Sequence, residues 1–440
     1  MNRRTLLVTA GGITGLLGLG GYHQRRRLGR WSDRDDLRTA RDLETPDPFL
    51  SASLTVTDSH LESALADLEN LVGNARAASS GLEYEEQPQP VIDRTESRFE
   101  DARSVREEIA GELDEFAALS NEERLDRLEE LRGALRGAGQ ALALAELERG
   151  ECDPDAIDTA LDALRDDYES VGRELDYYAS DVSRAVVAYG ELDELLEDVR
   201  VAINAGQRDL REAPPRSYAR VPYGHARLDD VERFAEHLER DAADGADPEL
   251  VGDRLNDRYL ALRERTDSTL EEVDFEYDDE VSSYAMDLWL DRIARQSDGS
   301  DEHDEGRLAL ATRIAAKRYA HALSVEAFED DRTLGFLDQL PADGFDTTGA
   351  DVREAKRRAG DALDDRLEAD GDDRLVRYLC VGVADELEWQ DRRLELALDD
   401  INDADSQEWS IELERLHRGY LEIAELAAVL PEASAVVEEE

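Results

Sequence analysis

The sequence predicts an all-α fold: a long antiparallel helical hairpin of coiled-coil type, followed by a second multi-helix bundle. Three observations lead there. Fifteen apolar positions between Ile157 and Leu210 keep one heptad register, a pattern that a packed helix sustains over such a length. Apolar residues recur at alternating spacings of four and three through much of the remaining chain, which places them on one helical stripe. No alternating run is long enough to found a sheet, and Leu54-Thr55-Val56-Thr57 is too short.

Composition narrows the function classes. The chain of 440 residues carries 52 basic and 108 acidic side chains, a formal charge of −56. Lys317 and Lys356 are its two lysines, and the other 50 basic residues are arginine. A surface of this sign repels the phosphate backbone, so nucleic acid is excluded as a partner. A hydrophobic content of 41% separates the chain from disordered acidic tails. Cys152 and Cys380 are too few for a disulfide scaffold or an all-cysteine metal cluster. The acids are spread along the whole length, and this acidic, lysine-poor composition resembles that of proteins from extreme halophiles. At molar salt the Debye length falls to about 3 Å, which screens the self-repulsion of such a surface.

The first thirty residues are chemically distinct. They hold six arginines and no acid, which leaves −62 on the rest of the chain. Arg3 and Arg4 precede an uncharged stretch, residues 5–24, whose twenty positions would span about 30 Å as a helix. The six glycines between Gly11 and Gly21 weaken that helix. Asn2-Arg3-Arg4-Thr5-Leu6-Leu7 resembles a twin-arginine export signal, without its usual Phe and trailing Lys. The resemblance implies a membrane-associated protein whose body is extracytoplasmic. Arg25, Arg26, Arg27 and Arg30 favour the opposite orientation, a cytoplasmic body on an anchor, by the positive-inside rule.

A charged spacer with Pro46 and Pro48 covers 31–57. Asp58 then caps a helix carrying Leu61, Leu65, Leu68, Val72 and Ala75, and Pro88 and Pro90 prevent its continuation. The helical region 58–212 continues with two arms, 91–149 and 153–212. The first is interrupted near Ser120, where Ser120 and Glu123 form a capping box. Gly150 ends it, and Asp153-Pro154 opens the second, expected as one unbroken helix of about 80 Å. Gly133, Gly137 and Gly139 either admit a neighbouring backbone or kink the arm. Residues 213–226, with Pro214, Pro215 and Pro222, read as a linker. A C-terminal bundle over 227–430 follows, with helices near 227–242, 248–271, 279–296, 305–329, 349–369, 373–402 and 406–430, then an acidic tail, 431–440.

No catalytic, cofactor-binding or metal-ligating residue emerges. Neither lysine precedes Ser or Thr, no His-Glu-x-x-His is present, and no Gly-x-Ser-x-Gly elbow exists. Glu414 and His417 share a helix face at a ligand-like spacing, but no second copy exists, and they read as a surface ion pair. The acidic loops 298–306 and 399–405 lack the spacing of a calcium loop. Trp289, Trp389 and Trp409 fall on apolar faces and read as core. Tyr168, Tyr178 and Tyr189 need partners for their hydroxyls, read as solvent. The expectation is therefore a non-enzymatic interaction or scaffold protein at the membrane. Its partner would be another protein or a second copy of the chain bound through the helical arm. The alternative is a ligand binder or enzyme with a site in the C-terminal bundle. Dialysis from molar KCl into dilute buffer is expected to lower the thermal midpoint measured by circular dichroism. A midpoint that does not move would remove the halophilic reading of the charge.

Overall fold

The computed structural model describes residues 33–46, 48, 54–82, 84, 88–243, 249–272, 293, 295–330, 347–369, 373–400 and 406–439. Among them the chain is all-α apart from two strands of two residues each. Two compact units are present, one comprising Ser51–Leu262, Ser297–Ala315 and Val437–Glu440, the other the remainder. Residues 1–30, with Arg3, Arg4 and the segment 5–24, lie outside the described residues. Among those described, no helix is long and apolar enough to cross a membrane.

The first unit starts from helix α2 (Asp58–Ser79), which follows a short α1 at 33–41 in the other unit. The residue capping α2 is Thr57, one position before the expected Asp58, and its side chain accepts the His60 N–H. The expected arm 91–149 is two helices, α3 (Gln89–Gly111) and α4 (Asn121–Glu148), separated by a 3-10 turn at Leu113–Ala118. Ser120 and Glu123 form the capping box that opens α4: the Ser120 N–H donates to Glu123 Oε2 at 2.7 Å and the Glu123 N–H to Ser120 Oγ at 3.3 Å. Gly150 turns at φ 69°, and Asp153 caps α5 by accepting the Asp155 N–H at 3.1 Å.

The expected unbroken helix over 153–212 is instead two helices, α5 (Pro154–Glu174) and α6 (Val182–Asp209). Between them Tyr178–Ala179 forms β1, antiparallel to β2 (Glu249–Leu250). Tyr177, Tyr189 and Asp181 hold this break. Tyr177 is buried in this loop, and the Tyr189 hydroxyl both accepts the Tyr178 N–H and donates to the Tyr178 carbonyl. Asp181 then caps α6 through the Arg184 N–H at 2.7 Å. The heptad register continues through Leu175 and Tyr178, both half-buried, so apolar spacing by itself does not distinguish this non-helical segment from helix. Tyr189, read as needing water, finds a backbone partner.

Residues 213–226, expected as a linker, are helical from Pro214 onward in α7 (Pro214–Ala243). Pro214 and Pro215 open the helix, where an N–H would have no partner in any case. Helix α7 packs against α4, α5 and α6, and α4 packs against α2 and α3. The second arm thus packs most extensively on α7, the first on α2 and then on α7, and neither mainly on the other arm. Gly137 of α4 lets the Arg98 carbonyl of α3 approach, since a Cβ there would lie 2.6 Å from its oxygen. Gly139 does the same for Ala219 of α7, at 3.1 Å from its Cα. Gly133 has nothing within 4 Å.

Helix α8 (Gly252–Glu272), α9 (Ser300–Asp304) and α10 (Leu308–Asp330) follow, and the unit boundaries at 262 and 315 fall inside α8 and α10. The second unit adds α11 (Gly349–Ala369), α12 (Arg374–Asp400) and α13 (Ser406–Glu438). The helix expected at 279–296 lies mostly outside the described residues. Helix α13 continues through Pro431 into the expected acidic tail, burying Ala433, Val436 and Val437. Trp409 is buried, but Trp389 is 54% exposed, which corrects its assignment to the core, and Trp289 lies outside the described residues. Trp389 sits beneath the Arg393 guanidinium, 5.1 Å from its ring centre, so a cation rather than the core covers its indole.

The glycine contacts make a paired expectation. Gly137→Ala should lower stability by about 1–3 kcal/mol through overpacking against α3. Gly133→Ala, on the same helix in open space, should raise it by up to about 1 kcal/mol through helix propensity. Denaturant unfolding in molar KCl reads both, and an unchanged Gly137→Ala protein would deny the close approach of α3 and α4.

Candidate functional site

Among the features of the first unit are two buried polar clusters and an arginine-lined groove. The first cluster centres on Asp230 of α7. Arg132 of α4, fully buried, donates through Nε at 3.0 Å and Nη2 at 2.6 Å to the Asp230 carboxylate, and through Nη1 at 3.3 Å to Asp67. His60 Nε2 lies 2.7 Å from Asp230 Oδ1. Burial alone would raise the Asp230 carboxyl, but the hydrogen bonds from His60 and Arg132 outweigh it and hold it below the usual range. Every polar group of this cluster is engaged inside the protein, as a structural tie between α2, α4 and α7 requires.

The second cluster explains the break in the expected long helix. Asp193 of α6 is fully buried, accepts the Leu310 N–H at 3.0 Å, and lies 3.3 Å from the Tyr177 hydroxyl. The Tyr177 hydroxyl also accepts the Leu308 N–H at 3.1 Å and lies 3.0 Å from the Gly306 carbonyl. Asp193 and Tyr177 together cap the start of α10. Burial pushes the Asp193 carboxyl up to about 7, against the opposing Leu310 N–H and the charges of Arg307 and Arg313. A protonated Asp193 can donate to Tyr177, which donates onward to Gly306, so each hydroxyl hydrogen has an acceptor.

The groove lies between α3, α4 and α7, beside the end of α6. It encloses about 700 Å³ and is lined by Arg94, Arg98, Arg136, Arg216 and Arg220, with Asp101, Glu130 and Asp209 as its carboxylates. Five arginines against three carboxylates leave two positive charges in excess, in a chain whose formal charge is −56. Arg98 Nη1 donates to Gln140 Oε1 at 2.7 Å, Arg220 Nη2 to Asp209 at 3.1 Å, and the Arg136 guanidinium lies 3.6 Å over the Tyr223 ring. Arg94 and Arg216 have no side-chain hydrogen bond or ion pair among the described residues. Ala102, Ala134 and Ala219, with Gly133 and Gly137, supply the small-residue part of the wall. No Ser, Thr, Cys, His, Lys or Tyr lines it, so it offers no nucleophile or base of the usual kinds beyond carboxylate.

In the second unit Asp391 and Glu414 are engaged by neighbouring side chains. Asp391 accepts from Lys356 Nζ at 2.9 Å, the Tyr420 hydroxyl at 2.6 Å and Thr45 Oγ1 at 2.9 Å. Glu414, read as half of a surface pair, is buried and bonded to Arg418 Nε at 2.5 Å and to Thr347. Burial holds the His417 ring below its ordinary range. Among the described residues no group of three or more His, Cys, Asp or Glu could hold a metal, and neither Cys152 nor Cys380 is in a disulfide.

The groove arginines were legible in one respect. Arg94 with Arg98, and Arg216 with Arg220, are like-charged pairs four residues apart, an arrangement that destabilises an isolated helix.

Residues 59–245 match a family described as a domain of unknown function (DUF8262). Residues 228–439 match a second, likewise a domain of unknown function (DUF8264). The groove falls within the first match. No curated protein and no solved structure matches the chain.

Asp193 makes the pH expectation. Its folded pKa is raised above the unfolded value near 3.8, so its contribution to stability is full below about 4 and is lost as pH rises through about 7. Asp193→Asn should therefore gain stability relative to the native chain as pH increases across that window. Thermal midpoints of both proteins at several pH values test it, and a constant difference would place the Asp193 pKa near its ordinary value.

Proposed function

We propose that this is a non-catalytic helical binding protein, held at the membrane by residues 5–24 behind Arg3 and Arg4, that receives an anionic partner in the groove of its first unit. The observation that carries this reading is the reversal of charge: two excess positive charges, with Arg94 and Arg216 unpaired among the described residues, in a cavity of a strongly acidic chain. Opposite charge at a concave, partly apolar surface is the usual form of a recognition site. The absence of hydroxyl, thiol, imidazole and amine groups from the wall supports binding over covalent catalysis. The rival reading, a site in the C-terminal bundle, has less support, because Asp391 and Glu414 are occupied by neighbouring side chains.

A photo-crosslinking residue in place of the exposed Asp101, at the groove wall, tests the reading in a halophilic host. Irradiation is expected to give an adduct of defined mass that disappears when Arg94 and Arg216 are both changed to Glu. Adducts indifferent to that charge reversal would overturn the groove as the binding site.

A further inference from the structure

We propose that the groove takes a phosphate monoester, with Arg94 and Arg216 as the two forks that grip its phosphoryl oxygens. This rests on the reading of the groove as the binding site and adds the chemistry of what fills it. Four observations converge. A volume of about 700 Å³ suits a small organic molecule, since ligand clefts run from about 300 to about 1,000 Å³. The local excess of two positive charges matches the −1.5 to −2 that a phosphate monoester carries near pH 7. The guanidiniums come from three helices, with Arg94 and Arg98 on α3, Arg136 on α4, Arg216 and Arg220 on α7. The two oxygens of a carboxylate lie in one plane and match a single guanidinium fork face to face, whereas the three oxygens of a tetrahedral phosphoryl group can accept from forks on different sides. Finally, donors are left open: besides Arg94 and Arg216, the buried Arg220 Nε–H has no acceptor among the described residues.

The like-charged spacings fit the same account. Arg94 with Arg98 and Arg216 with Arg220 repel along their own helices, and a bound dianion turns both repulsions into attractions to a common centre. The small residues Gly133, Ala134 and Gly137 leave room for the ligand over α4. At molar salt, where charges beyond about 3 Å are screened, recognition rests on contact hydrogen bonds, and the guanidinium fork supplies two at once.

Isothermal titration of the full chain in molar KCl with glycerol 3-phosphate, inorganic phosphate and citrate tests the assignment. Saturable binding at a single site is expected for glycerol 3-phosphate and for phosphate, with citrate at least about tenfold weaker. Arg94→Gln with Arg216→Gln should weaken glycerol 3-phosphate at least about tenfold, with an unchanged circular dichroism spectrum as the folding control. Arg94→Lys with Arg216→Lys keeps the charge, loses the fork, and should fall between the two. Absence of saturation at millimolar phosphate monoester, equal binding by the glutamine variant, or citrate binding as tightly overturns the proposal. A charge-dependent crosslinked adduct from Asp101 alongside any of these would leave the groove as the binding site and remove only the phosphate monoester.

Discussion

Two glycines on one helix set the arrangement of the first unit. Gly137 and Gly139, two positions apart on α4, admit the backbone of α3 on one side and of α7 on the other. Helices with full side chains pack with axes about 8–10 Å apart, and a missing Cβ at the contact lets them come closer. Arg98 is carried on the segment that Gly137 admits, and Ala219 and Arg220 on the segment that Gly139 admits. The backbones that carry Arg98 and Arg220 are therefore brought to the groove by glycine contacts, and head-group contacts such as Arg98 with Gln140 and Arg136 over Tyr223 add to them.

The buried ions complete that arrangement and explain why the groove stands apart. Arg132 and Asp230 are both fully shielded, with His60 as a further partner. A pair of this kind adds little to stability against an apolar replacement, but removing one member leaves a buried charge alone, at about 3–5 kcal/mol. It thus fixes which faces of α2, α4 and α7 meet. Lys356 with Asp391 does the same for helices of the second unit. One turn along α4 from Arg132, Arg136 has left the interior and lies over Tyr223 at the groove. The same residue type four positions apart is consumed by structure in one case and offered to solvent in the other.

Much of the local structure could be read directly. The Ser120–Glu123 box, the Asp153-Pro154 start and the Gly150 reversal all appear as expected, because each depends on residues within a few positions. The heptad across 153–212 misled for a physical reason: Leu175 and Tyr178 keep its register while half-buried in a loop, and apolar spacing alone does not report backbone hydrogen bonding. Asp181 stands before an apolar run and caps α6. The three prolines of 213–226 suggested a linker because two of them favour a helix start as much as a break. Like-charged arginine pairs were visible too, yet nothing in the chain order joins position 94 to position 216.

What the sequence determined by itself is the class of the fold, many helix boundaries, and a strongly acidic composition. These follow from composition and from interactions that reach no further than a helical turn. Only the tertiary structure decided that α7 lies against both arms, that Asp193 is buried beside Tyr177, and that five arginines face one cavity. Those facts depend on residues from different helices and loops, whose proximity is decided by which small side chains let which helices approach.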